Sequence, residues 1–303
     1  MKLVVKTEVT IGVCVKDSAL TIDRVIDSIV SQDFPHGLIE VIFMDDGSKD
    51  NTLSIISARA STMDTQVKVI HHEWRGLGTS RNRVVEEAEG DYIIWVDGDM
   101  ILEGDFVRKQ VEFMEMNPRI GIAKGICGIL PKEGLVAFLD NVAYVASFYR
   151  YRGFVKSRTL GAGGCTYRVD AIRQVGGFDV SIKGAGEDND AENRVMNADW
   201  LLYIGSPGVF YEQRRSSLRL LWRESIWHGY GAQKLFQGRS WEVMGMTPII
   251  AFFLGAYYAT IAYRMVHRGV VFLLPLQHAL KRIGWWIGFI KGAIDKDYKI
   301  RVA

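Results

Sequence analysis

Two aspartates, Asp97 and Asp99, are the residues of this chain whose types and spacing point most directly to chemistry. One glycine separates them, and they follow the short apolar run Tyr92–Val96. Residues two apart on extended chain point to the same side, so both carboxylates can face one ligand. Such a pair at the end of a strand suits a hard divalent cation that carries phosphate oxygens. The alternative is a plain turn, since Asp and Gly are common turn formers.

A second acidic motif, Asp45-Asp46-Gly47-Ser48, follows another apolar run. A carboxylate at the end of a strand can accept hydrogen bonds from a base or a ribose. The same residues can instead form a strand-to-helix turn whose side chains cap the next helix. Both interpretations hold together if Asp45 is structural and Asp46 faces a ligand.

A glycine-containing turn, residues 74–78, precedes a predicted helix with Arg81 in its first turn. Backbone N–H groups and an arginine at a helix start suit phosphate or the rim of a nucleotide. The glycine spacing matches neither a Walker motif nor a dinucleotide fingerprint. The alternative is an ordinary helix start.

The acidic cluster Glu187, Asp188 and Asp190 is the sharpest candidate for proton chemistry. Carboxylates this close repel one another, which makes one of them easier to protonate and suits a general base. The alternative is a set of helix N-terminal acids stabilised by the macrodipole. Gly184 and Gly186, just before the cluster, favour a backbone that lies close to a ligand.

The elements that must position these motifs alternate regularly. Apolar runs predict strands at residues 9–15, 40–44, 66–71 and 92–96, with helices predicted over 18–32, 51–63 and 79–88. This alternation predicts a mostly parallel sheet with helices on both faces, where ligands gather at the carboxyl ends of the strands. Three predicted strand ends carry polar side chains: Lys16-Asp17, Asp45-Asp46 and Asp97-Asp99.

Composition narrows the class of protein. The net charge of +2 over 303 residues argues against a general nucleic-acid binder. Three widely spaced cysteines form no metal or disulfide pattern, which fits a reducing compartment. Near residue 215 the chain becomes rich in aromatic residues and leucine with interspersed Arg and Lys. We therefore predict a catalytic domain over residues 1–215 and a helical membrane-associating region over 216–303.

The C-terminal region contains one uncharged apolar stretch, Thr247–Tyr263, at the short end for a membrane-spanning helix. A second stretch, Val270–Ile294, is interrupted by Lys281 and Arg282, which are unfavourable at membrane depth. We expect amphipathic segments in the cytoplasmic interface of the membrane, with at most one spanning helix. The alternative is a buried helical subdomain or an oligomer interface, which would make the protein a homo-oligomer. The side chains expected at the lipid headgroups include Arg214, Arg215, Arg219, Arg223, Lys234, Arg239, Trp222, Trp227, Trp241, Trp285 and Trp286.

Taken in order, the motifs of residues 9–212 resemble glycosyltransferase family 2. The resemblance implies the GT-A nucleotide-sugar-binding fold, an α/β fold with a mostly parallel central sheet, followed here by a helical hydrophobic C-terminal region. The residues that carry it are Ile11–Gln32, Asp45-Asp46-Gly47-Ser48, Arg81-Asn82, Asp97-Gly98-Asp99, Gly176-Gly177-Phe178-Asp179 and Glu187-Asp188.

The resemblance also implies roles for matching residues. Asp188 would be the catalytic base, with Glu187 beside it, for a single displacement that inverts the anomeric carbon. Asp97 and Asp99 would hold a divalent metal, Mn²⁺ or Mg²⁺, and the diphosphate of the donor. Gly163 and Gly164 would lie on the acceptor side. The nucleotide-binding residues would be Lys16, Asp17, Asp46, Arg81 and Asp97.

The chain departs from the family pattern at three places. Lys16-Asp17 stands where family members usually have an Asn, and the segment 209–214 lacks the His that many members carry after the last strand. The Gln-x-x-Arg-Trp motif of processive relatives is also absent. We therefore expect a non-processive enzyme that adds one sugar.

The expected function is transfer of one sugar from a nucleotide sugar to a hydroxyl or phosphate of a lipid-linked or glycan acceptor. A UDP-sugar is the favoured donor and a GDP-sugar the alternative; the expected place is the cytoplasmic face of the cell membrane. A nucleotidyltransferase is a rival, but it would need an Arg/Lys phosphate loop after the first strand. A catalytically inactive nucleotide-sugar-binding scaffold is a second rival, and the intact Asp97, Asp99 and Asp188 argue against it.

Overall fold

The computed structural model describes residues 7–130, 133–149, 151–155, 159–182, 185–235 and 247–294. The chain divides into two compact units, each discontinuous in sequence. The first contains Met1–Gly128, Tyr151–Val180 and Glu187–Glu212; the second contains Ile129–Arg150, Ser181–Gly186 and Gln213–Ala303. The division at residue 215 into a catalytic and a membrane-associating part stays a prediction.

The first unit has an α/β fold. Its strands are β1 Val9–Val15, β2 Ile39–Asp46, β3 Gln66–His72, β4 Tyr92–Asp97, β5 Met100–Leu102, β6 Ile120–Cys127, β7 Gly153–Val155, β8 Cys165–Arg168 and β9 Leu201–Glu212. Its helices are α1 Ile22–Val30, α2 Thr52–Ala60, α3 Leu77–Glu87, α4 Phe106–Met116, α6 Val169–Gln174 and α7 Glu187–Asn197, with a 3₁₀ turn at His36–Leu38.

Within the described ranges, these strands form one sheet in the order β3-β2-β1-β4-β8-β6-β9-β5, with β7 paired to β9. The predicted α/β fold is confirmed, and β1 to β4 pair in parallel as expected. Beyond β4 the sheet is mixed: β8 runs antiparallel to both β4 and β6, whereas β6 and β9 are parallel. The periodicity of the first hundred residues therefore describes only half of the sheet.

Burial of the first strands explains why their positions could be predicted from apolar runs in the sequence. Every residue of β1 and β2 is buried. Parallel strands that are covered on both faces are almost continuously apolar, and this is the pattern that the sequence shows. The first helix begins at Ile22, later than predicted. Residues 18 and 19 lie before the helix and bind the segment that begins α2: the Ser18 N–H donates to Thr52 Oγ1 and the Ala19 N–H donates to the Asp50 carboxylate.

Strand register brings the acidic strand ends to one edge of the sheet. In the parallel ladder, Val15 of β1 is opposite Asp45 of β2, and Cys14 is opposite Asp97 of β4. The expectation that polar strand ends gather at one edge is confirmed for these strands. This edge is where the candidate site lies.

The second unit is helical. Its helices are α5 Leu135–Tyr149, α8 Leu218–Leu235, Pro248–Val266 and Leu274–Ile294, with a 3₁₀ turn at Gly269–Leu273. Glycines permit close packing here: a Cβ on Gly229 would overlap the backbone of Trp285, and one on Gly288 would overlap that of Ile226. Gly184, Arg239 and Trp241 lie outside the described residues, and the side chain of Lys234 is not described.

The charges that interrupt the last helix have partners inside the second unit. Lys281 Nζ lies 2.5 Å from Asp140 Oδ1, and that carboxylate is 5 % exposed. The Arg282 guanidinium lies 5.2 Å from the centre of the Trp285 ring. Pairing of this kind offsets part of the cost of burying charge.

Among the helices that the structure describes, one is long and apolar enough to cross a membrane, Pro248–Val266. Several of its large apolar side chains are exposed, including Ile249 at 70 % and Phe253 at 67 %. Exposed apolar side chains continue on the last helix, as at Leu276 and Ile290.

Candidate active site

The turn between β4 and β5 carries the two aspartates singled out from the sequence. Asp97 ends β4, and Gly98 and Asp99 form a two-residue turn before Met100 begins β5. The two carboxylates therefore do not lie on one extended strand, and strand alternation is the wrong reason to expect them to converge. Gly98 packs closely against Ser18: a Cβ there would lie 2.6 Å from Ser18 Oγ, so a larger residue would require Ser18 to shift.

Arg81 connects this turn to the acidic cluster at the start of α7. Its guanidinium donates a hydrogen bond to the Glu187 carboxylate. The same group lies 3.7 Å from Asp188 Oδ2 and 3.8 Å from Asp97 Oδ1. Aromatic rings flank it, with the Trp95 and Phe178 centroids 5.8 and 5.7 Å away. One buried cation thus faces three of the carboxylates that the sequence singles out.

The electrostatics of this group follow from its burial. Arg81 is 4 % exposed and Glu187 is 1 % exposed. Burial by itself lowers the pKa of Arg81, but the carboxylates around it, with Glu187 first, outweigh burial and raise that pKa above its usual range. Arg81 therefore stays charged and offsets the repulsion expected within the acidic cluster. Asp190 is offset separately, by an ion pair at 2.8 Å with Arg194 on the same helix.

Asp188 combines fixed geometry with access to solvent. The Ala162 N–H donates to its Oδ2 at 3.1 Å, and the Asn189 N–H donates to its Oδ1 at 2.8 Å. Its side chain is 19 % exposed, whereas that of Glu187 is almost completely buried. Of the pair, Asp188 is the carboxylate that is open to solvent, and its role as a base stays a prediction.

Asp46 and Asp45 divide the roles expected for the second acidic motif. Asp45 is fully buried and binds the Ser48 N–H and His71 Nδ1, which is a structural arrangement. Asp46 accepts the N–H groups of Arg75 and Gly76 and so holds the turn before α3. Burial raises the pKa of Asp46 above its usual value, against the opposing effect of the Arg75 N–H. Contact of Asp46 with a nucleotide base stays a prediction.

Lys16 and Asp17 lie at the end of β1, beside the same motif. The Lys16 ammonium lies 5.1 Å from the centre of the Trp74 ring. Asp17 has a φ of 50°; its N–H donates to Ser48 Oγ and its carboxylate accepts from the Lys49 N–H. These contacts join the ends of β1 and β2, and nucleotide binding by the two residues stays a prediction.

Gly163 and Gly164 lie in the turn before β8. A Cβ on Gly163 would overlap the Asp97 carboxylate, and one on Gly164 would overlap the Phe210 ring. Gly164 also has a φ of 72°, which favours glycine. The structure thus places Gly163 against Asp97, on the side expected for metal and diphosphate, and a role toward the acceptor stays a prediction.

Lys124 and Glu192 are buried charged residues that the sequence analysis missed. Lys124 on β6 is 2 % exposed, and Glu192 on α7 has no exposure. Burial first, and the charge of Asp188 second, raise the pKa of Glu192 to about 8. Glu192 lies outside the acidic cluster singled out from the sequence, and burial, not repulsion within that cluster, is the main cause of its raised pKa. A faint signal existed, because Glu192 lies one helical turn after Asp188 and faces the same side.

Comparison with known proteins identifies the family. The family model for glycosyl transferase family 2 matches residues 10–174, more than half of the chain. The chain belongs to glycosyl transferase family 2. The match begins in β1 and ends in α6, so it includes Arg81, both aspartates of the β4–β5 turn and the glycines before β8.

Relatives with curated names agree with this membership. The chain is 26 % identical over 243 residues to glycosyltransferase GlyA of Streptococcus pneumoniae, an alignment that covers 75 % of this chain and 33 % of that protein. This family 2 chain therefore spans about a third of the length of that relative.

Solved structures share the fold. The mannosyltransferase PcManGT from Pyrobaculum calidifontis, in complex with GDP-Man and Mn²⁺, has a TM-score of 0.67 at 17 % identity, covering 97 % of this chain and 89 % of that one. Residues 1–349 of S. aureus TarS, in complex with UDP-GlcNAc, have a TM-score of 0.54 at 16 % identity, covering 97 % and 93 %. At these identities the similarity establishes the GT-A fold of the family 2 chain.

The donor set of this family 2 chain fits a metal that arrives with phosphate. Within the described residues, no three His, Cys, Asp or Glu side chains are grouped so that they could hold a metal ion. Mg²⁺ usually takes one or two carboxylates and completes its shell with substrate phosphates and water. The turn between β4 and β5 offers two such carboxylates, Asp97, whose side chain is 37 % exposed, and the partly buried Asp99.

Proposed function

We propose that this chain is an inverting, metal-dependent glycosyltransferase that moves one sugar from a nucleotide sugar to a hydroxyl or phosphate of a lipid-linked or glycan acceptor. The observation that carries the proposal is the buried Arg81, which faces Asp97, Glu187 and Asp188 together. This arrangement places a solvent-accessible carboxylate close to the strand end expected for the diphosphate. Family membership favours sugar transfer over the rival nucleotidyltransferase.

Asp188 is the proposed base. Two backbone N–H groups fix its carboxylate, and its side chain keeps 19 % of its surface exposed to solvent. It would take the proton of the acceptor hydroxyl while the acceptor oxygen forms a bond to the anomeric carbon. The bond from that carbon to the diphosphate breaks, and the nucleoside diphosphate leaves from the opposite face. A positioned base of this kind contributes roughly 10²- to 10⁴-fold to a rate.

Glu187 and Arg81 are proposed as the fixed support of that base. Their buried ion pair holds a positive charge beside both Asp97 and Asp188, which reduces the repulsion between two carboxylates in a partly water-excluded site. Asp97 and Asp99 would hold Mn²⁺ or Mg²⁺, which offsets the negative charge of the departing diphosphate when bound. Asp46, Arg81, Lys16 and Asp17 stay the proposed nucleotide side of the pocket.

The donor is proposed to be a UDP-sugar, with a GDP-sugar as the alternative. Both classes occur in the structural neighbours, UDP-GlcNAc with TarS and GDP-Man with PcManGT. The test is a screen of UDP- and GDP-sugars for enzyme-dependent release of UDP or GDP, with and without lipid extract. Release that requires one donor and increases with the extract supports the proposal. Absence of release with every donor in both conditions would contradict it.

We also propose that the second unit associates with the cytoplasmic face of a membrane and so brings the enzyme to a lipid-linked acceptor. The supporting observations are the exposed apolar side chains of Pro248–Val266 and the arginines near its end, Arg264 and Arg268. Apolar area combined with cationic side chains is typical of interfacial helices. A homo-oligomer interface would use the same apolar surface.

Vesicle binding separates these two alternatives. The double variant Ile249→Asn/Phe253→Asn should sediment less with phosphatidylcholine–phosphatidylglycerol vesicles than the unchanged protein does. Met116→Asn is the control, because Met116 is an exposed apolar residue of α4. The alternative outcome is that the unchanged protein does not sediment with vesicles while the double variant differs from it in molar mass, measured by light scattering. In that case the surface is an oligomer interface and the membrane proposal is wrong.

A further inference from the structure

The segment 160–164, which precedes β8, passes directly by two of the proposed active-site carboxylates. It consists of Leu160, Gly161, Ala162, Gly163 and Gly164, and we call it the glycine loop. The Ala162 N–H donates to Asp188 Oδ2 at 3.1 Å. At Gly163 there is no room for a Cβ, because the Asp97 carboxylate occupies that space. This backbone is thus in direct contact with Asp188 and passes close beside Asp97.

Lys124 holds the glycine loop from β6. Its ammonium donates to the carbonyl oxygens of Gly161 at 3.0 Å and Gly163 at 2.6 Å. The Gly161 carbonyl shares a peptide group with the Ala162 N–H that binds Asp188, and the Gly163 carbonyl belongs to the 163–164 peptide group. Phe210 covers the ammonium, with its ring centre 5.6 Å away, and the lysine is almost completely buried. Lys124 therefore holds, from its carbonyl side, the same peptide group whose N–H contacts the proposed base.

Glu192 holds the beginning of the same loop from α7. Its Oε2 accepts the Leu160 N–H, and its Oε1 accepts the Tyr167 hydroxyl at 3.0 Å. Because Glu192 lies four residues after Asp188, the helix that carries the base also carries the group that ties down the loop. The position of the glycine loop is thereby fixed relative to the helix that carries Asp188.

We propose that Lys124 and Glu192 are positioning residues that hold the glycine loop so that its backbone orients Asp188 and limits the place of Asp97. The proposal rests on the function proposed above for those two aspartates. Burying an ammonium and a carboxyl group is costly, and replacing buried charged or polar groups by apolar residues of similar volume often leaves stability unchanged. We therefore expect these two side chains to determine the geometry of the loop more than the stability of the fold.

The first test measures the loop without any substrate. Hydrogen exchange of the peptide that contains residues 160–166 is compared among the full-length unchanged protein, Lys124→Met, Glu192→Leu and Glu192→Gln. The amides of Leu160 and Ala162 should exchange at least about tenfold faster in the methionine and leucine variants. Glu192→Gln should keep most of the protection, because its amide oxygen can accept the Leu160 N–H and its NH₂ can donate to Tyr167. Unchanged exchange in both disruptive variants would overturn the proposal.

The second test measures turnover with the donor that the screen identifies. Lys124→Met and Glu192→Leu should lower kcat by about tenfold or more, since small displacements of a catalytic group have effects of this size. Glu192→Gln should restore kcat to within about threefold of the unchanged protein. Ile122→Ala is the matched control: Ile122 is fully buried on the same strand as Lys124 but has no charge or polar side-chain atom.

The control separates positioning from general instability. If Ile122→Ala is as unstable as Lys124→Met by thermal unfolding and loses as much kcat, the lysine acts only on stability and the proposal is wrong. Retained kcat in that control, with loss in Lys124→Met, supports it. Absence of turnover with every donor would count against the proposed function alone. The exchange rates would still test whether Lys124 and Glu192 hold the glycine loop.

Discussion

The Arg81 guanidinium donates a hydrogen bond to the Glu187 carboxylate across 106 residues of sequence. Both side chains are buried, and the arginine also lies within 4 Å of Asp97 and Asp188. The ion pair therefore joins α3 to the start of α7, and the same arginine also reaches Asp97 at the end of β4. The candidate site depends on this connection.

Replacement of Asp188 tests the base directly. Asp188→Asn should lower the transfer rate about 10²- to 10⁴-fold, because the amide cannot accept the acceptor proton. Binding of the donor nucleotide, measured by calorimetry, should stay within about threefold, since the amide oxygen can still accept the Ala162 N–H. Asp190→Asn is the control on the same helix, where Asp190 pairs with Arg194. Full activity of Asp188→Asn would exclude this residue as the base.

Removal of divalent metal tests the role given to Asp97 and Asp99. Chelation with EDTA should abolish transfer, and added Mn²⁺ or Mg²⁺ should restore it, because the departing diphosphate needs a counter-charge. In Asp97→Asn and Asp99→Asn, restoration should require a higher metal concentration, since each variant loses one anionic ligand. Turnover that continues at full rate in EDTA would remove the metal role from both residues.

Replacement of the Arg81–Glu187 pair separates stability from activity. Arg81→Met leaves a buried carboxylate without its main cation and should lower the free energy of unfolding by about 3–5 kcal/mol. The double variant Arg81→Met/Glu187→Leu should regain much of that stability in urea titrations, because no unpaired charge remains. Its transfer activity should stay low, since Asp97 and Asp188 still lack the positive charge between them. Recovery of activity in the double variant would make the pair purely structural.

The pH dependence of stability should reveal Glu192. Its pKa is raised from 4.5 to about 8, so the folded state holds a proton that the unfolded chain releases. The stabilising contribution is complete below about pH 4.5 and is lost as the pH rises through about 8. Urea unfolding at several pH values should show that Glu192→Gln removes this decline. Glu115→Gln, at an exposed position of α4, should keep it, and equal slopes in all three proteins would contradict the assignment.

Much of the first half of the fold was predictable because its strands are buried on both faces. Continuous apolar runs of β1, β2 and β4 end abruptly at polar residues, and a parallel ladder places those ends at one edge. The antiparallel insertion of β8 between β4 and β6 was not predictable in this way, because its four residues carry no periodic signal. The register of short strands is set by their neighbours in space.

The sequence by itself determined the acidic strand ends, the acidic start of α7 and the resemblance to a family of nucleotide-sugar enzymes. These are properties of local order and spacing. The tertiary structure decided the partner of Arg81, the burial that raises the pKa of Glu192, and the two carbonyl oxygens that Lys124 binds. Each of these depends on contacts between segments far apart in the chain and on the exclusion of water. Long-range contacts and the exclusion of water cannot be predicted from the residues that flank a motif.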